Sequence, residues 1–204
     1  MKLQQIILND AMETKVLFST KSFNAEKANL VLAFGERVFL EKVLPYENIR
    51  KKYPHSNIII CSTSGQISHT NLIENKAVIT AIEFEKTIIK VVEIDILKNP
   101  NIQELGETIK TDLFNDDLKS ILILSEGSFI NGTELINELI KQTCELIPIF
   151  GGLAGDEYNF EKTIVGLNND ASQGKIVAVG FYGMLSVLVL VRKVVGAILV
   201  LNAK

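Results

Sequence analysis

Three short runs of small, polar and glycine residues are the parts of this sequence whose residue types could do chemistry. In Cys61-Ser62-Thr63-Ser64-Gly65-Gln66, a thiol, three hydroxyls and a glycine follow the apolar run 58–60. Hydroxyls and free amides at the carboxyl end of a strand can receive a carboxylate or similar anion. The same residues can also form a turn that satisfies only its own backbone. Cys61 is either a nucleophile or a small core residue; His55 precedes the strand and His69 lies eight residues on, so sequence places no base beside it. In Ser125-Glu126-Gly127-Ser128-Phe129-Ile130-Asn131-Gly132 a strand opens onto a helix, whose first amides either attract an anion or are capped by Asn131 or Thr133. In Phe150-Gly151-Gly152-Leu153-Ala154-Gly155-Asp156, three glycines in five residues make a loop able to approach another group closely. Asp156 there receives a ligand amine or caps a turn. None of the three matches GxGxxG or a Walker A loop, so nucleotide chemistry is not indicated.

The elements that must hold these loops follow from periodicity. Runs 15–19, 29–34, 57–61, 77–83, 87–95, 120–125 and 147–150 are short, β-branched or aliphatic and bounded by polar residues, which predicts strands. Runs 77–83 and 87–95, joined by Phe84-Glu85-Lys86, read as an antiparallel hairpin. Helices are expected over 46–53 after Pro45, over 102–114 after Pro100, and over 133–144. The succession across 120–150 reads as a βαβ unit. The fold class is therefore α/β, with mixed parallel and antiparallel sheets flanked by helices.

Composition excludes several functions. The 204 residues are 47% hydrophobic, enough for a substantial core, and the net charge of −3 comes without a basic cluster longer than Arg50-Lys51-Lys52. Nucleic acid is not an expected partner. Two cysteines, Cys61 and Cys144, make neither a disulfide framework nor a zinc site, and the N-terminus lacks the form of a secretion signal, so a cytoplasmic protein without a metal is expected. The carboxylate pairs Asp116-Asp117, Glu83 with Glu85 and Glu93 with Asp95 fall at turns or alternate strand positions and give no catalytic pair by spacing. From Met184 to Leu201 the chain is almost wholly aliphatic, a membrane span by length alone. Arg192-Lys193 near its middle would cost about 2.5–3.5 kcal/mol each on insertion, so a membrane anchor is not expected.

Taken in order, the run from Ile58 to Ile67, Ser125 to Gly132, Gly151 to Asp156 with Phe160 and Thr163, and Gly174 before the run 175–181 resemble the N-terminal half of the FIST sensory domain family. The resemblance covers roughly residues 12–183. It implies a cytoplasmic, non-catalytic sensory input domain that binds a small ligand such as an amino acid and signals to a histidine kinase, a cyclic-nucleotide enzyme or a chemotaxis receptor. It further implies one pocket at the meeting of the three loops. Ser62, Thr63, Ser64, Gly65 and the amides of Gly151, Gly152 and Gly155 would receive a carboxylate there, with Cys61, Ser125, Asn131 and Gly132 beside them and Asp156 on the amine. Gln66 stands where the family usually has glutamate, which removes a negative charge from the first loop. No cofactor is expected. Two other readings stay open: a haem-based nitric oxide sensor with His55 or His69 as axial ligand, and an enzyme with Cys61 as nucleophile. The family pattern continues past residue 183 with a glycine- and tryptophan-containing segment and a second half, whereas residues 184–204 form an atypical apolar tail. One permitted set of codons, shifted by a base after Gly183, restores a segment of the expected kind, so the tail reads as a frameshift product following a truncated sensory domain.

Overall fold

The computed structural model describes residues 1–68, 71–98, 100–143, 147–159 and 161–183, so His69, Cys144, Phe160 and the 184–204 tail lie outside the described residues. Two sheets face each other. The first has six strands: β1 (Lys2–Leu8), β2 (Thr14–Ser19), β3 (Leu30–Gly35), β4 (Asn57–Ser62), β7 (Ala77–Glu83) and β11 (Val165–Leu167), in the order β11-β4-β3-β7-β1-β2. The second contains β8 (Thr87–Asp95), β9 (Leu118–Ser125), β10 (Ile149–Leu153) and β12 (Lys175–Gly183), in the order β10-β9-β12-β8. A small ribbon, β5 (Gln66–Ser68) with β6 (Asn71–Ile73), follows β4. Helices α1 (Arg37–Val43) and α2 (Tyr46–Lys52) pack on the first sheet, and α3 (Ile102–Leu113) and α4 (Gly132–Thr143) on the second.

Alternation along the strands distributes side chains between three cores. In β4, Ile58 and Ile60 pack toward Phe39, Leu40, Ile49 and Tyr53 of the helical side. Ile59 and Cys61 point the other way, into the layer between the sheets with Leu122, Leu124, Val177 and Val179. The second sheet sends Ile121, Ile123, Ile176 and Ala178 outward to Leu105, Ile109 and Leu113 of α3 and Leu135 and Leu139 of α4. The result is four layers, helix–sheet–sheet–helix, and each fully buried Ile or Leu contributes about 1.5–3 kcal/mol. A strand covered on both faces has no polar side to show, which is why 58–60 and 121–124 are unbroken apolar runs.

Mixed pairing is as expected. Strands β3 and β4 are parallel, as are β9 and β10, while β12 is antiparallel to both β8 and β9. The βαβ reading holds as β9-α4-β10. The expected hairpin of 77–83 with 87–95 does not form: β7 lies between β1 and β3, and β8 pairs with β12 in the other sheet. Residues 84–86 carry the chain from one sheet to the facing one, and Phe84 packs edge-on against Phe181 at 5.8 Å. A second correction bears on the site. Gly151 and Gly152 are not loop residues but part of β10, opposite Ile123 and Leu124.

Candidate functional site

Each parallel pair ends in loops that carry the sequence motifs, and a crevice outside the carboxyl ends of parallel strands is where α/β sheets usually take ligands. Beyond β9 and β10 lies a pocket of about 620 Å³. Its apolar wall includes Ile123, Ile136 and Phe150; Ser125, Asn131, Gly132, Gly151 and Gly152 also line it. Asn131 caps α4: its Oδ1 accepts from the Thr133 amide at 3.0 Å and the Glu134 amide at 3.3 Å. The Ser125 hydroxyl donates to the Glu126 carbonyl at 2.9 Å. Gly152 faces open space, because a Cβ placed there meets nothing within 4 Å.

The first loop is built differently. Ser62 is fully buried and its Oγ accepts from the Ile164 amide at 3.0 Å, while its carbonyl accepts from Gly155 N at 2.9 Å. Thr63 N donates to the Gly35 carbonyl. Ser64 Oγ accepts from the Glu157 amide at 3.0 Å. Gly155 sits so close that a Cβ would lie 2.5 Å from Ser64 Oγ, so glycine there lets the first and third loops touch. Gln66 is buried, with its amide oxygen accepting from Glu36 N at 2.8 Å and Thr63 Oγ1 at 2.9 Å, and its nitrogen donating to the Ile73 carbonyl. A carboxylate at that position would set an acceptor against Ile73 O, so an amide suits this backbone.

Asp156 is occupied by the protein itself. Its Oδ1 accepts from Arg37 Nε at 2.6 Å, and Oδ2 accepts from Glu161 N at 3.1 Å and Lys162 N at 3.0 Å. Burial pushes the carboxyl up, but the Arg37 guanidinium and these two amides outweigh it and hold Asp156 below the usual carboxylate range. The three loops thus touch one another but do not share one pocket. Ser125, Asn131, Gly132, Gly151 and Gly152 gather at the first, Ser64 and Gly65 line a second, and Cys61, Ser62, Gln66, Gly155 and Asp156 are spent on packing and hydrogen bonds between loops.

The structure speaks against Cys61 as a nucleophile and against His55 as a haem ligand. Cys61 is 2% exposed, and burial pushes its thiol up to about 12, so it carries no thiolate near neutral pH and is not placed as a nucleophile. Iodoacetamide is therefore expected to alkylate Cys61 on the order of a thousandfold more slowly in the native than in the urea-unfolded protein, read by peptide mass mapping. Comparable rates would show that this strand opens readily. The His55 side chain is 72% exposed, lies 3.6 Å from Glu26 and lines neither pocket, so it does not fit a haem axial ligand. His69 lies outside the described residues. Glu93 and Asp95 both bind Lys175, and Glu83 binds Lys2, so these carboxylates are ion-paired and do not form a catalytic pair.

Sequence reasoning missed Glu36 and Arg37. They directly follow β3, the parallel neighbour of β4, and the rule that drew attention to Ser62–Gly65 applies equally to them. Thr163, noted in the motif, accepts from Gly127 N at 2.7 Å and so ties the second loop to the third. Among the described residues no helix is long and apolar enough to cross a membrane. A family model, the FIST N domain, matches residues 29–193. No curated protein matches the chain.

Proposed function

This chain belongs to the FIST N domain family, a family of sensory domains, and from that premise we propose that it is a non-catalytic input domain whose ligand sits in the pocket beside β10 and the N-terminus of α4. The observation that carries this reading is the lining itself. Isoleucines and Phe150 offer an apolar wall, and the first turn of a twelve-residue helix stands at the polar end. Asn131 already takes the Thr133 and Glu134 amides, so it is the helix dipole rather than those amides that favours a carboxylate at this end, and the wall favours an aliphatic or aromatic remainder. A small apolar carboxylate fits both, α-amino acids among them. Asp156 does not supply the ammonium partner, because Arg37 holds it. The signal would pass to a partner such as a histidine kinase, a cyclic-nucleotide enzyme or a chemotaxis receptor in the cytoplasm.

The test uses leucine and 4-methylpentanoate in thermal unfolding. Both should raise the midpoint, and the amine-free acid should do at least as well as leucine. Gly152→Leu should abolish the rise while leaving the unliganded midpoint within about 4 °C of the parent, since its new side chain enters open space. No response to either carboxylate, or an undiminished response in Gly152→Leu, would refute the assignment.

A further inference from the structure

The two large sheets end in β11 and β2, and in β10 and β8, and an edge strand left open invites another chain to pair with it. Three of these edges are blunted in the usual ways: β2 carries Lys15, β8 carries Lys90 and Glu93, and β11 is only three residues long. β10, with the sequence IFGGL, carries no charge. Its ladder with β9 is fixed in phase, because Ile121 N donates to the Pro148 carbonyl and Ala154 N to the Ser125 carbonyl. Alternate residues of a parallel strand turn both backbone groups to the same side, so Phe150 and Gly152 bond β9 while the amides and carbonyls of Ile149, Gly151 and Leu153 face the open edge. Those outward groups have no partner among the described residues. The pocket of about 620 Å³ runs along this edge, since all five residues of β10 line it and Leu135 and Ile136 of α4 stand on the other side. Bound alone, a small acid would leave most of the edge unpaired. Among the described residues no charged side chain lines the pocket, so nothing there meets an ammonium, whereas the positive end of the α4 dipole complements a carboxylate. A peptide's last residue has that combination: a carboxylate, and an amide where a free amino acid has its ammonium.

We propose that the extended C-terminal segment of a partner protein adds to the second sheet at β10, with an aliphatic last residue in the pocket. Gly132 at the start of α4 packs against Leu153, where a Cβ would lie 3.3 Å from the leucine side chain, so the helix dipole stands at the carboxyl end of β10. The terminal carboxylate lies there, the peptide runs parallel to β10, and its main chain bonds the outward groups of Gly151 and Ile149. Main-chain pairing supplies affinity and the pocket supplies selection for the last side chain. The inference rests on the reading of this pocket as a carboxylate site and names the class of partner that brings the carboxylate.

The probe is the tetrapeptide acetyl-Ala-Val-Ala-Leu with a free carboxylate, titrated calorimetrically beside 4-methylpentanoate. The peptide should bind about tenfold or more tighter than the small acid, and its C-terminal amide should lose about tenfold. N-methylation of single peptide bonds should weaken binding at alternate positions only, because only every second N–H of an added strand faces β10. Amide exchange at Gly151 and Leu153 should slow on binding, and Gly152→Leu should abolish the response to both ligands. Binding of 4-methylpentanoate with no gain from the peptide would overturn strand addition and leave the small-acid reading standing, whereas silence of both ligands would overturn the two together. Equal losses from N-methylation at adjoining positions, or undiminished binding of the amide, would also overturn it. Concentration-dependent dimerisation of the peptide-free protein, abolished by Gly152→Leu, would give this edge to a second copy of the chain and refute the proposal.

Discussion

Gly151→Ala is expected to cost more than about 4 kcal/mol of stability, while Gly152→Ala, one residue along the same strand, should change it by less than about 1 kcal/mol. The contrast comes from β10 and its parallel neighbour. Gly151 holds φ at +142°, and a Cβ built on it overlaps the Ile123 carbonyl oxygen and comes within 2.7 Å of the carbonyl carbon. Backbone obstructs it there, and no side-chain rotamer can relieve the clash. The strand must leave β9, and with it goes one wall of the pocket beside α4. At Gly152 the Cβ meets nothing, and alanine even restricts the unfolded chain slightly in the variant's favour. Urea midpoints for the two variants, followed by circular dichroism, decide the matter. Similar midpoints would mean that β10 yields at Gly151, and that the pocket wall is not fixed by this close approach.

The same strand shows how far sequence reading reaches. Three glycines in five residues announce a close approach, and that holds at Gly151 and Gly155, but they do not say which is strand and which is loop. Buried strands such as β4 and β9 are legible because two-sided burial leaves an unbroken apolar run. Strand β1 is not. It puts Gln4 on the same face as buried Ile6 and Leu8 and Gln5 on the other, and their polar side chains are bonded by Tyr53, Ser19 and Thr80 once the sheet exists. Helix α1 has seven residues, no side-chain cap at Glu36 and a stop at Leu44 in the left-handed region, so it lacks the usual start signals. The mistaken hairpin has a related cause. A three-residue link serves a turn within one sheet and a step between facing sheets equally well, and only the outer partners, β1 and β3 for β7 and β12 for β8, decide between them. Arg37 was invisible as part of the site because its partner lies 119 residues away. Asp156 was therefore legible as an acidic residue in the right place, but not as one already neutralised.

Asp156→Ala is expected to cost about 3 kcal/mol, because it leaves the largely buried Arg37 without its shortest partner and two backbone amides without an acceptor. The effect should depend on pH in a defined direction. The folded-state carboxyl is held below its unfolded value, so its contribution is complete above the ordinary carboxylate range and is lost as pH falls through the depressed folded value. The stability gap between parent and Asp156→Ala should be full at neutral pH and close progressively below about pH 4. A gap of the same size throughout the acid range would mean that shape rather than charge sets the cost. The consequence reaches both cavities. Asp156 anchors Arg37 of α1 to the 161–162 backbone, beside Gly155, which touches the Ser62–Ser64 loop, and Glu157, which lines the second pocket with Ser64 and Gly65. Lost ligand response in an Asp156 variant would therefore report collapse of this support as readily as loss of a ligand contact. The variant that separates binding from folding is one in an open position, Gly152→Leu.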